Sequence, residues 1–427
     1  MTGYWRRLVD DELDALAGLP AICLEGPRAV GKTTTALRRA SSCFDLDDAA
    51  VREAVSADPQ RVVAAPPPVA VDEWQRLPAI WDLVRRAVDA DPVPGRFLLT
   101  GSAPPSTLPT HSGAGRIVGV RMRPLSLFER RDNELWTATT VSLGTLLSGQ
   151  RPDIAGRTEA RLADYVEEVL KSGFPATRRL PQRARRAALG GYINRIVERD
   201  IAESGRDVRN PSALRRWMAA YAAATGTTAS FEKIREAATS GQGDKPSRKA
   251  STPYLDTLER LYIVDPLAAW APTRNQLARL TFGPKHFMAD PAQAAQLLRV
   301  DADMLLNGRS NGPPVPRQGT LLGALFESLV ALNLRVYAQL SEASVGHLRQ
   351  WGGKHEIDFI VTARDERVVA VETKLSQVVR DHDVRHLRWL RQEIGDELAD
   401  AAVVTTGTEA YRRQDGIAVV PAALLGP

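Results

Sequence analysis

Gly26-Pro27-Arg28-Ala29-Val30-Gly31-Lys32-Thr33 fits the pattern G-x-x-x-x-G-K-[ST], and its surroundings decide how it is read. Ala21 to Leu24 form a short apolar run before it, and Thr34 to Ala40 can begin a helix after it. A strand, a glycine-bearing turn and a helix N-terminus together make a phosphate cradle. The glycines let successive N–H groups face one concavity, and the helix end adds partial positive charge. Gly26, Pro27, Arg28, Ala29, Val30, Gly31, Lys32, Thr33 and Thr34 are therefore the expected contacts to ATP. Lys32 would neutralise the β- and γ-phosphates, and Thr33 would ligate Mg2+.

The next apolar run, Val69-Ala70-Val71, follows three prolines and ends in Asp72-Glu73. Acids at the carboxyl end of a strand downstream of a phosphate loop imply a division of labour: Asp72 in the Mg2+ shell and Glu73 polarising the attacking water. A third run, 96–100, leads into Gly101-Ser102. Ser102, or else Thr100, is the expected γ-phosphate sensor. Beyond it His111-Ser112-Gly113-Ala114-Gly115-Arg116 is a glycine-rich turn that would present Arg116 to a neighbouring subunit as an arginine finger. Arg121 and Arg123 compete for that role.

Composition narrows the class. The chain has 427 residues and net charge +5, enough length for several domains without the charge excess of a dedicated polyanion binder. Only eight of the 56 basic residues are lysines, which gives weight to Lys32 and Lys374 at motif positions. Two cysteines, Cys23 and Cys43, fit a reducing cytoplasm and exclude a disulfide scaffold. Both are expected near the start of neighbouring core strands. No apolar run reads as a membrane span, so no membrane partner is expected. Arg178, Arg179, Arg183, Arg185 and Arg186 crowd nine residues and could meet a phosphate backbone.

The runs GPRAVGKTTTA, VDEWQRLPAIWDLVRRAVD, LLTGSA, GAGRI and MRPLSLFER resemble bacterial and archaeal AAA+-like ATPases that carry a carboxyl-terminal domain of unknown function. SGFPATRR, YINRIVERDI and the last hundred residues continue the likeness. The resemblance implies a P-loop ATPase core over 1–135 and a helical lid over 136–208. In the lid, Glu198, Arg199 and Asp200 would either form ion pairs with the core or sense nucleotide. Helices at 215–224, 230–239 and 253–261, followed by strands at 263–264 and 286–289, suggest a winged helix-turn-helix over 209–305. Lys245, Arg248, Lys249 and Ser251 precede its expected recognition helix. The segment 306–319 reads as a linker.

From 320 to 427 the expected order is α-β-β-β-α-β, with Asp358 on one strand and Glu372-x-Lys374 on the next. This pattern resembles the PD-(D/E)xK nuclease superfamily. Asp358 and Glu372 would converge on Mg2+ with the Thr373 carbonyl, and Glu327 from the preceding helix would complete the shell. Lys374, two residues on and so on the same sheet face, would orient water or stabilise the phosphate. His382 and His386 have a metal-ligand spacing but no third ligand in sequence, so a surface or core role is expected. The expectation is an α/β multidomain enzyme: an ATPase acting on DNA through a nuclease-like domain, or a non-nucleolytic switch gripping nucleic acid or a protein. A homo-oligomer is compatible with either.

Overall fold

The structure is a computed structural model that describes residues 4–103, 112–130, 132, 134–136, 139–201, 210–239, 248–272, 283–307, 320–350 and 353–427. His111, Lys245 and positions 308–319 of the expected linker lie outside the described residues, as do the side chains of Arg248, Lys249 and Ser251.

Five strands form the first sheet: β1 (Ala21–Glu25), β2 (Ser42–Asp45), β3 (Val69–Asp72), β4 (Phe97–Gly101) and β5 (Val118–Arg121). They are all parallel, in the order β2-β3-β4-β1-β5. The strand bearing Ser102 at its end thus lies between the phosphate-loop strand and the acid-bearing strand. Alternation places Cys23, Val69, Val71, Phe97 and Leu99 against the helix Ala79–Ala90 on one face. Ile22, Leu24, Ala70, Leu98 and Val120 face the helices Leu8–Ala15 and Lys32–Leu37 on the other. Burial on both faces is why β1, β3 and β4 are almost wholly apolar. The cysteine expectation needs correcting. Cys43 is exposed, on the edge strand β2, which does not neighbour the strand of Cys23. After β3 a short turn, Trp74–Arg76, leads through Leu77-Pro78 into the helix Ala79–Ala90.

The second sheet has seven strands. Residues 344–421 supply β8 (Ser344–Arg349), β9 (Glu356–Thr362), β10 (Val368–Lys374), β11 (Leu398–Thr405), β12 (Glu409–Arg412) and β13 (Ala418–Pro421). Its seventh strand is β7 (Ala155–Arg157), which pairs with β12 from inside the expected lid. Nearby, β6 (Val141–Ser142) pairs with β14 (Leu425–Gly426). The chain therefore visits the carboxyl-terminal layer before it forms the helices Leu162–Lys171 and Gln182–Arg195.

The helix Leu321–Leu340 is the spine of this half, and it is long and apolar enough by composition to cross a membrane. Here 83% of that apolar window is buried inside the protein. Its polar side chains reach the ATPase half: Asn333 Oδ1 accepts from Leu127 N at 2.9 Å, and Tyr337 Oη from Phe128 N at 3.3 Å. One apolar cluster runs continuously from Leu127 through the helices of 162–298 to Leu425. The helices Pro211–Ala223, Phe231–Thr239 and Arg248–Arg260 precede a segment paired through Val264 with Met288 and Leu267 with Lys285.

Candidate functional site

At the phosphate loop, local sterics explain the residue choices. A Cβ on Gly26 would lie 2.2 Å from the Met122 carbonyl oxygen, so only glycine fits. Gly31 has φ 112°, a conformation costly to side chains, and Ala29 bears φ 64°. Lys32 is 4% exposed and donates to the Gly26 and Pro27 carbonyls, each at 2.9 Å. Burial pushes its ammonium down to about 8, against the charges of Glu73 and Asp72. Thr33 Oγ1 donates to Asp72 Oδ1 at 2.9 Å, and Thr100 Oγ1 donates to the same oxygen. A hydroxyl and a carboxylate side by side at the end of a parallel strand are the donor set Mg2+ takes beside a triphosphate.

Glu73 sits at φ 51°, and its Oε2 accepts from Ser102 Oγ at 2.9 Å and from the Gln75 amide. Ser102 thus meets Glu73 directly, whereas Thr100 meets Asp72. Gln75 was not singled out from sequence.

Arg28, within the loop, pairs with Asp200 at 2.5 Å, and its carbonyl accepts from Tyr192 Oη at 3.4 Å. Of the three lid residues, Asp200 therefore reaches the phosphate loop. Arg7 is the brace that sequence reasoning missed. It donates to Val30 O at 3.0 Å, Arg123 O at 2.7 Å and Glu129 Oε1 at 2.9 Å, and is 4% exposed. An arginine ahead of the first helix carries no motif, so no local signal marks it.

The expected arginine fingers are engaged within the chain. Arg116 Nε donates to Asp89 at 2.7 Å at the protein surface. Arg123 Nε lies 3.0 Å from Asp265, and Arg121 lies 3.6 Å from it. The basic run at 178–186 is not a uniform patch either. Arg178 is buried, bound to Glu168 at 2.7 Å and to Asp132, Arg185 is largely buried, and the Arg179 guanidinium lies over the Trp5 ring. An apolar stem and a buried carboxylate drew Arg178 inward, which clustering in sequence does not reveal.

In the second sheet Val371 pairs with Phe359, which brings Asp358 alongside Glu372. Glu327, Asp358, Glu372 and Lys374 all line one open cavity of about 910 Å3, so the sequence-predicted residues do meet. What sequence reasoning missed is Lys285. Its Nζ lies 2.6 Å from Glu327 and 2.9 Å from Asp358. Lysine scarcity was the available signal, but nothing placed Lys285 beside the acids. Burial opposes its charge, yet Asp358 and Glu327 hold the ammonium well above its ordinary value. At Asp358 burial pushes up, but the Lys285 and Lys374 charges outweigh it and hold the carboxyl at about 2. Burial, with repulsion from Asp358, pushes Glu327 and Glu372 up to about 8 each.

Two lysines stand among the acids of the expected Mg2+ shell, Glu327, Asp358 and Glu372. Among the described residues no group of three or more His, Cys, Asp or Glu is placed to hold a metal ion. Lys374 is 3.2 Å from Glu372, an ion pair rather than a free cation. His386 meets His355 Nδ1 to Nδ1 at 3.2 Å, while His382 faces Asp383 at 3.4 Å.

Comparison with known proteins matches three successive segments. Residues 162–304 and 322–425 match two domains of unknown function, DUF8612 and DUF4143. The first spans parts of both the expected lid and the expected middle domain. Two uncharacterized proteins, from Mycobacterium bovis and Mycobacterium tuberculosis, are each 26% identical over 420 residues, covering 96% of this chain and 81% of theirs. A Walker-type ATPase of Pyrococcus abyssi aligns over 70% of this chain and 96% of its own, at 17% identity and TM-score 0.40, too loose a likeness to bear on the fold. Residues 19–130 match the AAA domain, and with the loop and acids described above this part of the chain is an AAA-type P-loop ATPase domain.

Proposed function

We propose that the chain is a Mg2+-dependent ATP hydrolase that works as a switch, its cycle read out by the middle and carboxyl-terminal segments as they grip nucleic acid or a protein partner. The contact between Thr33 and Asp72, 2.9 Å apart beside the Lys32 loop, carries the nucleotide half of this reading. Mg2+ held there would neutralise charge on the β- and γ-phosphates. Lys32 leaves the Gly26 and Pro27 carbonyls to meet phosphate oxygens, and backbone N–H groups of the loop donate to the rest. Glu73 accepts the proton of the attacking water, with Ser102 and Gln75 fixing its carboxylate.

Ties around the loop support transmission. Arg28 links it to Asp200, and Tyr262 Oη donates to Glu25 at 3.1 Å where β1 enters the loop. Asp265, three residues on, gathers Arg123 at 3.0 Å and Arg335 at 3.0 Å, joining the ATPase sheet to the spine helix. Three helices followed by a paired segment favour a winged-helix reading of 211–289.

The competing reading, ATP-dependent cleavage of DNA, is weakened by ion pairing in the acidic cavity: Lys374 is engaged by Glu372, and Arg349 lies 3.5 Å from Glu356. Plasmid and linear DNA incubated with ATP and Mg2+ separate the two. The switch reading expects intact DNA and an ATP-dependent gel shift, or intact DNA with no shift if the partner is a protein. Cleavage abolished in both Asp358→Ala and Lys374→Ala restores the nuclease reading.

A further inference from the structure

We propose that Lys285 is the resident cation of the carboxyl-terminal acidic cluster: its ammonium stands where a divalent ion would sit, so this domain works without metal and leaves phosphodiesters uncut. The inference deepens the switch reading above, but it rests on its own geometry.

A divalent ion bound by Glu327, Asp358 and Glu372 would need their oxygens turned toward one point at roughly 2.0–2.6 Å. Each carboxylate instead has an oxygen on a lysine, although Glu372 Oε1 is buried without a hydrogen-bond partner. Asp358 Oδ1 accepts from Lys285 Nζ at 2.9 Å. Its other oxygen, Oδ2, accepts from Thr373 N at 2.9 Å and Thr373 Oγ1 at 2.8 Å. Glu327 Oε1 lies 2.6 Å from the ammonium, and Glu372 Oε2 is held by Lys374 at 3.2 Å. Glu356 adds a weaker attraction at 4.0 Å. A metal at this point would have to displace an ammonium already ion-paired with two carboxylates, with like-charge repulsion opposing its approach.

Nor is Lys285 a side chain that swings in from solvent. It is 1% exposed. Its backbone is fixed on both sides: Lys285 N donates to Leu267 O at 2.9 Å and Leu267 N to Lys285 O at 2.8 Å. The adjoining His286 N donates to Thr227 O at 2.9 Å, and Gly226 N donates to His286 O at 2.9 Å. Lys285 comes from the middle segment and the acids from the spine helix and the second sheet. The same ammonium that fills the cluster therefore fastens one segment to the other. Withdrawing it would leave buried carboxylates without a counter-charge, which is strongly unfavourable.

The test is a Mn2+ titration of the full chain followed by electron paramagnetic resonance, without nucleotide and with Asp72→Asn throughout to remove the P-loop ligand. The Asp72→Asn chain is expected to bind no Mn2+ up to about 1 mM, the weak end of protein divalent-cation sites. Adding Lys285→Ala is expected to create a site for roughly one Mn2+, lost again when Asp358→Asn is added. Lys285→Met, which keeps the buried volume, serves as the second variant should Lys285→Ala fail to fold, and Lys285→Arg is expected to remain metal-free. Mn2+ uptake by the chain that retains Lys285, abolished by Asp358→Asn, overturns the proposal. So does a folded Lys285→Ala or Lys285→Met chain that takes up none. Because no nucleotide is present, failure of the ATPase assignment leaves these outcomes untouched.

Discussion

Lys32, the phosphate ligand of the proposed reading, is held in the free protein against its own loop. Its ammonium is buried against two carbonyls, and desolvation brings its proton affinity down to about 8. Phosphate favours the protonated form, so bound ATP raises that value. The sign follows: above pH 8 the free loop must take up a proton to bind, and ATP affinity falls by up to about tenfold per pH unit until the bound-state value is reached. Binding isotherms from pH 7 to 9.5 should show the fall, and a flat profile would place Lys32 outside the phosphate site. The residue scale also shows where motif reading stops. That Gly26, Lys32, Thr33, Asp72 and Glu73 lie together was legible because their spacing along the chain follows a known pattern. Arg7, Gln75 and Lys285 were not, because each acquires its role only through a partner brought close by folding.

At the scale of elements, the spine helix and the adjacent strands bearing Asp358 and Glu372-x-Lys374 were legible in their order, since each is an apolar run with a clear period. The pairs β6 with β14 and β7 with β12 were not. Strands of two to four residues carry no periodicity, and their partners lie more than two hundred positions away. The helix Leu162–Lys171 shows how a charged residue becomes structural. Glu168 on it lies 2.7 Å from Arg130 and 2.7 Å from Arg178, and accepts from Trp136 Nε1 at 3.1 Å. Burial pushes Glu168 up, but the two guanidiniums outweigh it and hold it at about 2. A depressed carboxyl contributes stability above its unfolded value near 4.5 that is lost as pH falls toward 2. Glu168→Gln should cost about 3–5 kcal/mol in urea unfolding at pH 7, because two buried cations lose their counter-charge. The difference from wild type should shrink toward pH 3, and a cost under about 1 kcal/mol at pH 7 would contradict the account.

Across the whole molecule the ATPase half and the carboxyl-terminal half are joined by buried charge as well as by apolar packing. Asp265 is central. Burial works against its charge, but Arg335, Arg123 and Arg121 hold it well below the usual carboxylate range. Asp265→Asn is expected to destabilise the fold by roughly 3–5 kcal/mol, and in chains that remain folded to uncouple nucleotide from the second half. Hydrogen exchange over 321–340 reads this directly: it should respond to ATP in wild type and not in the variant, and an equal response in both would remove Asp265 from the connection. Everything at this scale depends on the hydrolysis proposed for the site of Lys32, Asp72 and Glu73. The most direct test is the steady-state rate of Mg·ATP hydrolysis by Glu73→Gln at saturating nucleotide. The account predicts a loss of about 100-fold or more. Turnover equal to wild type would contradict it.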